Sequence, residues 1–253
     1  MLHPLVEGVL TSGTVPGPEG RSVPAHSHIP RAECELLYRA AAAARPRVAV
    51  EVGMAFGLST LCLCDALTRA NAGAAKPPRL IVMDPAQHDA TWQGLGLHLV
   101  ERAGFGALVE FHERTSQQVL PELVARGCRV QLGFIDGYHT FDHTLVDFFY
   151  VDQLLEPGGV VVFDDLDYPS VHAAARFVLS NRDYEILELA AGAAPAPAGA
   201  RHAVKRLLRR LGRTDRDPDD RHEELFDRLR GAKAIALRKR AEDARRWDHY
   251  VPF

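Results

Sequence analysis

The chain has 253 residues, 47% of them hydrophobic and 25% charged, with a formal net charge of −3. That suits one large globular domain with a sizeable core. The small net charge gives no global argument for nucleic acid or an anionic membrane, and no apolar run approaches the roughly 20 residues of a membrane-spanning helix.

Residues 1–29 are rich in Gly, Pro, Ser and His and read as an extended arm or a lid. They lack a basic start followed by a long apolar stretch, so no secretory signal is expected. Residues 30–46 are helical in composition, with Pro30 near the start and Pro46 at the end. A rhythm then begins. Short apolar, β-branched runs at 47–53, 79–85, 107–113, 130–137 and 158–165 alternate with helical stretches at 59–73, 92–104, 116–127 and 141–155. A helix at 170–181 and strands at 184–190 and 232–240 continue it. The strand runs are continuously apolar, as in a parallel sheet covered on both faces. The expected architecture is therefore α/β: a doubly wound, mostly parallel, seven-stranded sheet spanning a domain of residues 30–253. Between the last two strands, 191–200 reads as an Ala/Pro/Gly linker, 201–213 as a basic amphipathic helix and 215–224 as an acidic segment. This 191–231 insertion is a possible cap or subunit contact. Cys34, Cys62, Cys64 and Cys128 form no C-x-x-C pair, so neither a zinc site nor a disulfide framework is indicated, and a reduced cytoplasmic setting is expected.

Ligands of open parallel sheets bind outside the carboxyl ends of the strands, near the point where strand order reverses. Every run delivers an acid there: Glu51, Asp84, Glu113, Asp136 and the pair Asp164–Asp165. Helix capping explains one or two of these, not all five. The first loop, EVGMAFGLST (51–60), is glycine-rich, but Ala55 stands where a middle glycine would complete a pyrophosphate loop. Glu51 would repel phosphate and could hold an ammonium group, while Asp84 can accept both hydroxyls of a ribose. A ribose, a cationic part and no phosphate describe S-adenosylmethionine.

With EVGMAFG and IVMDP in place, the chain resembles the class I S-adenosylmethionine-dependent methyltransferases over residues 30–190 and 232–240. FIDG and VFDD bring it nearer to the metal-dependent small-molecule O-methyltransferases, the catechol O-methyltransferase type and the bacterial sugar and macrolide enzymes. The resemblance implies donor contacts from Glu51, Gly53, Met54, Phe56, Gly57 and Ser59, ribose binding by Asp84, and adenine contacts from Thr115, Ser116 and Gln117. It implies a divalent ion, Mg²⁺, on Asp136, Asp164 and Asp165, with Asp136 bordering the donor too. Such an ion lowers the pKa of a coordinated hydroxyl. A base must still take the proton. His139, three residues past Asp136, is the first choice and Asp136 the second. Gly137 would supply the turn that aims both.

Other assignments compete. His139 and His143 could bind a transition metal, though Thr140 to His143 read better as a helix start, and Asp142 and Asp147 as solvated or near helix ends. Gln87 and His88 read as exposed loop residues beside the donor pocket, and Trp92 as a packing group. A metal-independent N-, C- or O-methyltransferase would use His139 or Asp136 alone. A nicotinamide-dependent dehydrogenase lacks its G-x-G-x-x-G loop. The expected partner is a small hydroxylated acceptor (sugar, phenol or other natural product), with no nucleic acid, no membrane and a possible homodimer.

Overall fold

The computed structural model describes residues 1–191 and 225–253. The arm is not extended. Helix α1 (Pro4–Ser12) starts at His3, whose Nδ1 accepts the Leu5 N–H, and stops at Gly13 with φ 67°. Val6 and Val9, three residues apart, bury one face. Strands β1 (Thr14–Pro16) and β2 (Ser22–Pro24) pair as a short antiparallel hairpin. Helix α2 (Arg31–Ala44) follows.

The central sheet holds β3 (Val48–Val52), β4 (Arg79–Met83), β5 (Val109–His112), β6 (Val130–Ile135), β7 (Leu155–Phe163), β8 (Tyr184–Ala191) and β9 (Ala232–Lys239), in the order β5-β4-β3-β6-β7-β9-β8. All neighbours are parallel except those of β9, which runs antiparallel to β7 and β8. This is the mostly parallel, seven-stranded, Rossmann-like sheet expected. Strand β3 lies between β4 and β6, so the reversal of strand order falls at its carboxyl end. Several expected strands shift at their ends. Residues 106–108 form a 3₁₀ turn, so β5 starts later, and β7 ends at Phe163, leaving Asp164 and Asp165 in the loop.

The helices α3 (Leu58–Ala70) and α4 (Leu95–Arg102) share one face of the sheet with α1 and α2. The opposite face carries α5 (Ser116–Ala125), α6 (Phe141–Leu154) and α7 (Pro169–Asn181). Strand side chains divide with period two: Ala49, Leu132, Phe134, Val160 and Val162 face α2 and α3, while Val50, Val52, Ile135, Val161 and Phe163 face the other layer. The expected linker, basic helix and acidic segment at 191–200, 201–213 and 215–224 lie, except for Ala191, outside the described residues. Among the described residues no helix is long and apolar enough to cross a membrane.

Candidate active site

The alternation of β3 decides where its acid goes. Glu51 falls in phase with Ala49, toward α3, and is fully buried. Its Oε1 accepts the Ser59 hydroxyl at 2.6 Å, and its Oε2 has no partner among the described residues. Burial pushes this carboxyl up to about 8, against the pull of Ser59. The turn beyond it is shaped by what it must touch. A Cβ on Gly53, at φ 87°, would stand 2.0 Å from the Asp136 carbonyl oxygen. Only glycine lets the turns after β3 and β6 lie against each other. Gly57, at φ 79°, opens α3 against the Gly96 backbone. The side chains of Met54 and Phe56 are buried, Phe56 edge-on to Trp92 with ring centroids 5.0 Å apart.

Ala55, at φ 48°, takes the conformation a glycine would adopt more easily. Two side chains hold it there. Asp84 Oδ2 accepts the N–H groups of Met54 (3.0 Å) and Ala55 (2.9 Å), and its Oδ1 accepts that of Ala86 (2.9 Å). Gln87 donates to the Ala55 carbonyl and accepts the Gly96 N–H. Gln87 is fully buried, not an exposed loop residue, because both ends of its amide are used. His88 is exposed and pairs with Glu113 at 2.8 Å.

Thr115 caps α5, its N–H donating to Gln118. Ser116 is buried, and Gln117 is exposed. Asp147 is 1% exposed rather than solvated. Burial lifts its carboxyl to about 6, against a hydrogen bond from Ser116, and Oδ1 has no partner among the described residues. Thr140 to His143 begin α6 as expected, with Thr140 at the cap and its hydroxyl 2.8 Å from His143.

The ends of β6 and β7 bring three groups together. Ligand atoms of Asp136, His139 and Asp165 all lie within 4.8 Å of one another. His139 Nε2 is 3.2 Å from Asp165 Oδ2. The imidazole stacks on Tyr168, with centroids 5.1 Å apart and planes 4° from parallel, and Ser170 donates to the His139 carbonyl. Asp164, expected in the metal set, is not in this group. In phase with Val160 and Val162, it turns toward α2 and meets Glu33. Asp165 escapes that alternation through a positive φ of 50°. Gly137 has no left-handed backbone, so it does not supply a special turn. Its missing side chain makes room for Val52, whose Cγ1 would lie 2.9 Å from a Cβ.

The electrostatics are unbalanced. Burial, then Asp164 and Asp165, holds Asp136 well above the usual carboxylate range. Burial, then Asp165, lifts Asp164 to about 7, and burial, then Asp164, lifts Glu33 to about 9. Glu33 therefore keeps its proton and donates it to Asp164. Burial also raises Asp165, opposed by His139 and Lys233. Among the described residues, Asp164 Oδ1 has no partner. Carboxylates left short of cations suit a site that receives cationic groups.

Sequence reasoning missed Glu33, Gln87 as a clip, and Tyr168. A signal existed for Glu33. It stands three, four and seven residues before Leu36, Leu37 and Ala40, on the buried face of α2.

Residues 50–166 match a family model described as a methyltransferase domain. That span holds every strand-end acid named above, and it agrees with the resemblance to class I methyltransferases read from the sequence. The fold is similar to that of cofactor-bound Rv0187 from MTB, at 14% identity over 94% of this chain and 88% of that one, with a TM-score of 0.60. It is similar to the O-methyltransferase TomG from Streptomyces achromogenes, involved in tomaymycin synthesis and solved with SAM, at 20% identity over 85% and 82%, with a TM-score of 0.50. It is also similar to an O-methyltransferase from Bacillus cereus solved with SAH, at 14% identity over 85% and 84%, with a TM-score of 0.54. No curated protein matches the chain.

Proposed function

We propose, from the premise that residues 50–166 form a methyltransferase domain, that the chain transfers a methyl group from S-adenosylmethionine to a hydroxyl of a small metabolite, with help from a divalent ion. The observation that carries this reading is the convergence of Asp136, His139 and Asp165 beside the glycine-rich turn. Two carboxylates and an imidazole fit a divalent ion. Mg²⁺ prefers the oxygens, so Asp136 and Asp165 would hold it and leave His139 for the proton. The expected third carboxylate, Asp164, stays with Glu33.

When bound, the donor supplies a sulfonium methyl and the ion acidifies a coordinated hydroxyl. The chain does the rest. Glu51, a buried carboxyl whose Oε2 has no partner among the described residues, would ionise against the donor's ammonium group. Asp84 and Gln87 fix the turn so that its backbone can approach the ligand, and Oδ1 of Asp84 keeps one lone pair for a ribose hydroxyl. His139 takes the acceptor proton, with its ring held in place by Asp165 and Tyr168 and its backbone carbonyl by Ser170. Alignment and exclusion of water supply the remaining acceleration. The acceptor class (sugar, phenol or natural product) belongs to this proposal too.

The 3.2 Å contact between His139 and Asp165 favours a second reading. Asp165 could orient His139 as a base with no ion present. Titration calorimetry with S-adenosylmethionine tests the donor site. A methyl-transfer assay in excess EDTA then separates the two readings. Loss of activity, restored by Mg²⁺, supports the ion, and full activity in EDTA supports the His139–Asp165 pair alone.

A further inference from the structure

Resting on the methyl-transfer reading, we propose that Tyr168 serves as a positioning residue for His139 and as the platform on which the acceptor's ring lies. Tyr168 stands at the start of α7, three residues past Asp165. It is 49% exposed, a large ring open to solvent beside the Asp136, His139 and Asp165 group. Its inner face is covered by the parallel His139 imidazole. The edge of that imidazole is held by Asp165, and its backbone carbonyl by Ser170. The imidazole is thus held at its edge by Asp165 and on one face by Tyr168, and the tyrosine has a second face to offer. Offset-parallel rings in this arrangement add specific attraction beyond simple burial.

The surroundings narrow what that face can receive. Asp136 and Asp165 have ligand atoms within 4.8 Å of that of His139, which covers the ring's other face, and Lys233 is turned to Asp167 at 2.5 Å. An acceptor carrying its own carboxylate would add one more acid to a cluster whose carboxyls already raise one another. A tyrosine face instead attracts the C–H face of a sugar ring, or a second aromatic ring. The class implied is a ring compound with neighbouring oxygens and no carboxylate, lying against Tyr168 with one hydroxyl toward His139.

Catechol serves as the ring probe and propane-1,2-diol as the open-chain control, each titrated into the Mg²⁺-loaded full-length protein with S-adenosylhomocysteine, and each assayed for methyl transfer. Tyr168→Ala is expected to weaken catechol binding about tenfold, lower kcat through a displaced His139, and leave S-adenosylhomocysteine affinity unchanged. Tyr168→Phe, which keeps the ring, is expected to restore both catechol binding and kcat. Equal catechol binding by the alanine variant and the wild type overturns the proposal. So does wild-type protein that binds propane-1,2-diol as tightly as catechol, or binds neither. Failure of S-adenosylhomocysteine itself to bind would instead remove the methyl-transfer reading beneath it.

Discussion

At the scale of single residues, Glu51 shows how function is set against stability. Its carboxyl is raised to about 8 by burial. In the unfolded chain it ionises near 4.5, so folding binds a proton between those values. Its contribution is fully present below about pH 4.5 and is lost as pH rises toward 8. Glu51→Gln keeps the shape and the Ser59 contact but cannot ionise. At about pH 8 the variant is expected to be more stable to urea by on the order of 2 kcal/mol or more, with little difference near pH 4.5. Calorimetry is expected to show donor binding weakened at least tenfold, because the ammonium partner is gone. A variant no more stable at high pH would show that Glu51 is not buried as a neutral acid. Gly53 is the second decisive residue. Gly53→Ala puts a methyl 2.0 Å from the Asp136 carbonyl oxygen at a φ of 87°. Urea titration should show a loss of roughly 2–4 kcal/mol, through overpacking and backbone strain together, and methyl transfer should fall with it. Near-wild-type stability would mean that the two turns do not abut.

At the scale of elements, the strand ends were legible because a buried parallel strand is a continuous apolar run, and whatever stops the run stands out. Glu51, Asp84, Asp136 and the Asp164–Asp165 pair were found that way. Which of the last two joins Asp136 was not legible. Alternation along β7 sends Asp164 to the α2 layer, and the positive φ that frees Asp165 is open to either aspartate, so the residue type does not choose between them. The arm misled for a related reason. Gly, Pro, Ser and His suggest an extended chain, yet His3 caps α1, Pro4 suits its first turn and Gly13 ends it. Gln87 was missed because a loop glutamine looks solvated until both ends of its amide are seen at work. It ties the turn after β3 to the start of α4. Gln87→Ala leaves the Ala55 carbonyl and the Gly96 N–H unsatisfied in a buried place. A destabilisation of roughly 2–3 kcal/mol is expected, with donor affinity falling more steeply than the affinity for Mg²⁺. Chemical denaturation and paired titrations would check it, and equal losses for both ligands would mean that Gln87 does not act through the donor loop.

At the scale of the molecule, the two edges of the sheet treat buried charge differently. At the amino edge, Asp152 is 3% exposed and fully answered: Arg182 pairs with it, Tyr184 donates at 2.5 Å and Lys239 lies 3.5 Å away. At the carboxyl edge, Glu33, Glu51 and Asp164 are raised to about 9, 8 and 7, and Lys233, which opposes the rise at Glu33 and Asp164, is itself bonded to Asp167. Each folded value lies above its unfolded one, so each contributes stability that is present in acid and lost as pH rises through the folded value. The ligand-free protein is therefore expected to melt at progressively lower temperature from about pH 5 to about pH 9. A divalent ion favours the charged carboxylates and should offset that slope most at the alkaline end. At a hundredfold excess of Mg²⁺ over its dissociation constant, the linkage is worth about 2.7 kcal/mol, or a rise in Tm of roughly 5–10 °C for a chain of this size. Thermal melts across that range, with Mg²⁺ and with NaCl at matched ionic strength, make the measurement. If NaCl does as well as Mg²⁺, the carboxyl edge is merely a repulsive surface being screened. A rise specific to Mg²⁺ and absent in Asp136→Asn would tie the missing cation to the edge where the strands deliver their acids.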